Sequence, residues 1–115
     1  MRFCMKFDRE LLKGHLKILL LAVLEDEPCH AYGFNLRLQE KSMGVFELPE
    51  GTVYPSLHKL ERDGLIKSAR IEREKGPVIR NYELTAKGKK VLESGRREWN
   101  FFLRAMEMVL EEKRS

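Results

Sequence analysis

The chain has 115 residues, 43% hydrophobic and 35% charged, with a formal net charge of +4. That length holds one domain with one modest core, and the composition is that of a soluble globular protein. Two cysteines, Cys4 and Cys29, exclude a disulfide framework. Cys29 next to His30 has no second Cys or His near it, so it reads as a small buried hydrophobe and not as half a metal site. The longest apolar run, Ile18–Leu24, is far short of the roughly 18 residues a membrane span needs. No secretory leader is legible, so a reducing cytoplasm is the expected location. A pI near 9.2 permits a nucleic-acid partner, and the clustering of the cations matters more than their total.

Met1–Phe7 is a mixed apolar and basic lead-in. Asp8 is the expected N-cap of a first helix running to about Glu25, where Pro28 forces its neighbour out of helical geometry. Leu11, Leu12, Leu16, Leu19 and Leu20 keep a helical stripe, and Ile18–Leu24 is apolar all round, which implies burial on most sides. A second helix is expected over Ala31–Lys41 with His30 as its cap; Gly33 inside it costs about 1 kcal/mol against Ala and marks close packing. Ser42-Met43-Gly44 reads as a turn and Val45–Leu48 as an extended connector.

A third helix follows Pro49 and runs to about Asp63. Val53, Leu57, Leu60 and Gly64 recur at i, i+4, i+7 and i+11, while Gly51, Pro55, His58, Lys59 and Arg62 occupy the other side. Pro55 is a breaker by propensity, yet the stripe crosses it in phase. Gly64 suits the left-handed C′ position. Two strands, Leu65–Glu72 and Val78–Leu84, flank a loop, Arg73–Pro77, in which Gly76 supplies the unusual dihedrals. In the second strand Val78, Arg80, Tyr82 and Leu84 share one face, and Ile79, Asn81 and Glu83 the other.

Thr85 caps a last helix from Ala86 to about Glu112. Leu92, Gly95, Trp99, Phe102, Met106 and Val109 are spaced 3, 4, 3, 4, 3, a heptad seam that Val91, Leu103 and Leu110 widen. Such a helix is about 40 Å long at 1.5 Å per residue. One small domain cannot easily cover that face, whereas a second copy of the same helix can. The expected architecture is mainly α with a small β-hairpin. It comprises a winged helix-turn-helix DNA-binding domain over residues 1–85 and a C-terminal dimerisation helix over residues 86–115.

At this point the residues resemble the PadR family of transcriptional regulators. The matching pieces are Leu12-Lys13-Gly14-His15-Leu16, His30-Ala31-Tyr32-Gly33-Phe34, Glu50-Gly51-Thr52-Val53-Tyr54-Pro55-Ser56-Leu57, Leu60-Glu61-Arg62-Asp63-Gly64-Leu65-Ile66, and Arg80 to Gly88. The Gly-Thr-Val-Tyr-Pro run is the most specific, and the resemblance accounts for a proline inside the third helix. Many members read Ser-Pro where this chain has Pro49-Glu50, so the usual side-chain N-cap is lost. A single helix after the wing is similar to the short-tailed branch, in which that helix makes the dimer.

The resemblance implies a homodimer on double-stranded promoter DNA, with repression the usual mode. Gly51 and Thr52 at a helix N-terminus suit a phosphate. Tyr54, Ser56, His58 and Lys59 can donate to phosphates or base edges in the major groove. Lys75 and Arg80 on the wing, Lys13 on the first helix and Tyr32 opening the second complete the expected DNA contacts. Each has a plainer reading: good first-turn residues for Gly51 and Thr52, core packing for the two tyrosines, and solvated surface for the others. Trp99, with Phe102, Leu103 and Met106, is expected at the dimer interface, where the resemblance implies stacking on a small aromatic ligand; interface core is the plainer alternative.

An enzyme is not expected. No phosphate-binding loop or nucleophile elbow is present, and His15, His30 and His58 are scattered. No cofactor or metal is expected either. The competing function is a winged helix used for protein contact without ligand response, which the basic third helix disfavours.

Overall fold

The computed structural model describes residues 14–112. The elements in order are α1 (Leu16–Val23), β1 (Cys29–His30), α2 (Ala31–Lys41), α3 (Glu50–Arg62), β2 (Ile66–Ile71), β3 (Ile79–Leu84) and α4 (Ala86–Leu110). The Asp8 cap, Leu11, Leu12 and Lys13 lie outside the described residues. Within them the first helix begins only at Leu16: Gly14 and His15 form a turn, with His15 at φ −116° and ψ 4°. It ends at Val23, two residues before the expected stop. The apolar run is buried as its composition requires, with Leu20, Leu21, Val23 and Leu24 almost inaccessible.

The strands form one antiparallel sheet in the order β1-β3-β2. β1 was not expected, since two residues carry no alternation to detect. It pairs Cys29 with Tyr82 and His30 with Asn81, and so ties the start of α2 to the base of the wing. Cys29 is buried, and burial pushes its thiol up from the ordinary value. Gly33 is needed because a Cβ there would come within 2.8 Å of the Cys29 sulfur. His30 is the N-cap residue of α2, but its side chain makes no capping bond.

The connector into α3 is held more firmly than its sequence announces. Ser42 donates to the Leu38 carbonyl at 2.7 Å and accepts from the Phe46 amide at 2.9 Å. Asn35 donates to the Leu48 carbonyl at 2.7 Å and accepts from the Leu48 amide at 2.8 Å. This two-way bond fixes the angle at which the chain enters α3. The chain reverses before it through Met43 and Gly44, both at positive φ.

Val53, Leu57 and Leu60 bury one side of α3 against Leu20, Leu21, Phe34 and Leu38. Leu65, Ile66 and Tyr82 close the core from the sheet, with Tyr82 edge-on to Phe34 at a ring separation of 6.2 Å. Thr85 caps α4 by accepting from the Gly88 amide, as its position predicts, and also donates to the Gly64 carbonyl at 2.7 Å. The first half of α4 joins this core through Leu92. The second half leaves it: Trp99, Phe101, Phe102, Leu103, Met106, Met108, Val109 and Leu110 are all exposed.

Candidate nucleic-acid interface

The outer face of α3 carries Gly51, Tyr54, Pro55, His58, Lys59 and Arg62, all exposed. Pro55 sits within the helix, one turn past Gly51, whose carbonyl it leaves without the usual amide partner. Pro49 is the N-cap residue and contributes no side-chain bond. The Thr52 amide donates to the Pro49 carbonyl at 3.0 Å, and the N-cap side chain leaves the other amides of the first turn uncapped. Gly51 has no atom within 4 Å of the place a Cβ would occupy. Nothing inside the fold requires glycine there.

Ser56 differs from the other residues expected on this face. It is half-buried, and its hydroxyl donates to the Thr52 carbonyl at 2.8 Å. Thr52 is half-buried as well. Lys59 and His58 point into solvent on the free side of the helix. Glu61, which could have paired with Arg62, instead accepts from Ser68 on β2.

Tyr32, Tyr54 and Arg80 come together although they lie on α2, α3 and β3. With His30, Pro77 and Val78 they line a shallow groove of about 200 Å³ between α3 and the wing. Tyr32 is 72% exposed and Tyr54 47% exposed, so neither serves the core. Partial burial, then the neighbouring Tyr32 hydroxyl, pushes the Tyr54 phenol up from its ordinary value. Tyr54 therefore remains a neutral hydroxyl donor at physiological pH. Lys75 stands at the exposed tip of the wing, away from this groove. His30 could not be placed here from its sequence context, because its position depends on β1.

A second site lies between α4 and the start of α1. The face of α4 around Ser94, Glu98, Trp99 and Phe102 meets Gly14, His15 and Ile18 across an open cavity of about 690 Å³, within the size range of ligand pockets. The His15 imidazole stacks on Trp99 at 5.0 Å, with 15° between the ring planes, and Phe102 lies tilted 5.5 Å from the same indole. Leu103 and Met106 continue the exposed apolar surface beyond it. Arg96, just before Trp99 on α4, grips the Glu25 carboxylate with two bonds of 2.8 and 3.0 Å.

The model of the PadR-like family of transcriptional regulators matches residues 20–94. The chain belongs to that family. A PadR family regulator from Clostridium difficile is 33% identical over 84% of this chain and 99% of its own, with a TM-score of 0.75. A PadR family regulator from Eggerthella lenta is 25% identical over 90% of this chain and 88% of its own, with a TM-score of 0.77. A transcriptional regulator from Clostridium thermocellum shares the fold at a TM-score of 0.83, with 20% identity over 92% of this chain and the whole of its own.

This PadR-like chain is thus a DNA-binding transcriptional regulator and not an enzyme. The winged helix-turn-helix expected from its sequence is its fold. Among the described residues no helix is long and apolar enough to cross a membrane.

Proposed function

We propose that the chain is a homodimeric repressor that grips promoter DNA with α3 and the wing and is joined through α4. The exposed apolar second half of α4 carries this reading. Eight large apolar side chains, from Trp99 to Leu110, stand in water on one helix. That is far more than a lone protomer leaves uncovered without a partner, and the heptad spacing suits a second copy of the same helix. Two joined copies offer two α3 helices, which matches operators built from paired half-sites. Repression is the mode that the family resemblance supports.

The cavity beside Trp99 supports a further element of the proposal, release by a planar apolar ligand. It has aromatic walls, an accessible indole and the volume of a small molecule. Gly51, Thr52, Tyr54, His58, Lys59, Lys75, Arg80 and Tyr32 are the proposed DNA contacts, with Ser56 acting from the helix flank.

Binding to a duplex from upstream of its own gene tests the proposal, titrated by fluorescence anisotropy at several salt concentrations. Affinity is expected to fall by orders of magnitude between low and physiological salt. Lys59→Ala is expected to reduce the salt slope by about 1 for each phosphate the lysine neutralises, and to leave the melting curve unchanged. A slope unaltered by that substitution would count against the assigned face of α3. Sedimentation equilibrium reads the dimer independently, and quenching of the single tryptophan by planar aromatic compounds reads the ligand.

A further inference from the structure

The wing carries an arrangement that its charge count alone does not suggest. In the β2–β3 register Arg70 stands directly opposite Arg80, and Ser68 opposite Tyr82. Side chains two apart on a strand share a face, so Ser68 and Arg70 on β2 lie on the same side as Arg80 and Tyr82 on β3. Tyr82 is buried in the core, so this is the core side of the sheet. Toward the wing tip that side runs beyond the core and ends in two exposed arginines.

Two like charges directly opposed across a strand pair are destabilising. Neither arginine makes a salt bridge within 4 Å to a described carboxylate. Cross-strand neutralisation is used next to them: Lys67 pairs with Glu83, the residue facing it, at 3.2 Å. The two arginines face each other without such a partner among the described residues.

Arg80 is nevertheless held in place. Its Nη1 donates to the Ser68 hydroxyl oxygen at 3.1 Å, and that hydroxyl donates to Glu61 Oε2 at 2.6 Å. Glu61 belongs to α3. A chain of two hydrogen bonds therefore runs from the DNA-reading helix, through β2, to a guanidinium on β3. The second bond has the short length of a charge-assisted O–H···O⁻ contact. A guanidinium has five N–H donors in a fixed fork, and this anchor uses one of them. Among the described residues the rest have no partner, and their orientation is set by α3.

We propose that Arg70 and Arg80 form a two-arginine seat for a DNA backbone phosphate, and that Ser68 and Glu61 are positioning residues that keep this seat in register with α3. The inference rests on the DNA-binding reading above and adds to it a contact, Arg70, and a mechanism of alignment. A phosphate between the two guanidinium groups removes their mutual repulsion and accepts bidentate bonds. The link through Ser68 makes engagement of the wing and of α3 one event, because Arg80 is already oriented before DNA arrives.

The test uses the full chain and the upstream duplex, with affinity measured against salt. The Arg70→Ala, Arg80→Ala double variant is expected to lower the slope of log affinity against log salt by about 0.9 per subunit, for the one phosphate they share, and each single variant to lower it by part of that. Ser68→Ala is expected to weaken binding several-fold, and the Ser68→Ala, Arg80→Ala double variant to be no weaker than Arg80→Ala alone. Ser68→Thr, which restores a hydroxyl on a residue suited to strands, is expected to recover wild-type affinity. A purely structural role for Ser68 would instead give losses that add to those of Arg80→Ala. Additive losses, or an Arg70→Ala slope equal to wild type, would overturn the proposal while leaving DNA binding by α3 in place. Wild-type protein that ignores the duplex at low salt would remove the DNA reading and this seat with it.

Discussion

Two glycines show how a single residue type answers opposite demands. A Cβ at Gly88 would run into the Leu65 carbonyl oxygen, a backbone atom that already accepts from the Thr85 amide. Gly88→Ala must therefore displace the start of α4 from the link between α3 and β2. Overpacking of this kind costs roughly 1–3 kcal/mol, which a urea melt of the variant is expected to show as a lower midpoint at similar slope. Gly51 has only open space around it. Gly51→Ala is expected to leave stability unchanged or raise it by up to about 1 kcal/mol, because alanine is the better helix former. The same change puts a methyl group where a backbone phosphate has to approach α3. Weaker promoter binding by a protein that melts no earlier is the expected outcome. Equal affinity would show that the first turn of α3 stands off from DNA.

At the scale of elements, the junction of α1 with α4 decides how the DNA-binding unit is carried. It is made by the close approach of Ile18 to Gly95, the stacking of His15 on Trp99 and the forked bond from Arg96 to Glu25. The hydrogen bond from Arg96 holds the Glu25 carboxyl below its ordinary value of 4.5, against a smaller opposing effect of desolvation. A depressed carboxyl contributes stability that is complete above its unfolded pKa and lost as pH falls through the folded one. The pair is nearly half exposed, so solvent screens it and the contribution is small. Glu25→Gln is expected to lower the melting temperature slightly at neutral pH. The gap to wild type should close as pH drops below the ordinary glutamate range. A gap that persists unchanged into acid would mean that the fork contributes no ionic stabilisation.

These elements were legible in the sequence to different degrees. The phase of Val53, Leu57 and Leu60 carried α3 across Pro55, and the heptad spacing from Leu92 onward defined α4 to within two residues of its observed end. Long amphipathic repeats survive because burial of one face overrides a local propensity. β1 was hidden, since its strand character comes from Tyr82 and Asn81 and not from Cys29 and His30 themselves. The Asn35–Leu48 bond and the Glu61–Ser68–Arg80 chain were hidden for the same reason: each joins residues that only tertiary packing brings together. The pairing of Arg70 with Arg80 was within reach. A loop at Arg73–Pro77, centred on Lys75, already sets those two positions opposite each other.

The whole molecule depends on the rigidity of its last helix. α4 spans 25 residues, about 37 Å at 1.5 Å per residue. Thr85, Lys87 and Arg96 each tie it by hydrogen bonds to the helix-turn-helix side of the chain. In the proposed dimer the join between two copies of α4 would therefore also set the separation of the two α3 helices, which would have to match half-sites about one turn of DNA, near 34 Å, or a multiple of it, apart. Trp99 lies mid-way along α4, in contact with both His15 and Phe102. Removing its ring is expected to weaken the association of two copies without touching the DNA-reading residues. Binding through two joined sites exceeds binding through one by a factor of roughly 10²–10⁴. Trp99→Ala should therefore lose affinity for a duplex with two half-sites and keep it for a duplex with one. Sedimentation equilibrium and paired titrations of the two duplexes measure both quantities. An unaltered association constant, or an equal loss on both duplexes, would place the join between subunits elsewhere than on this face of α4.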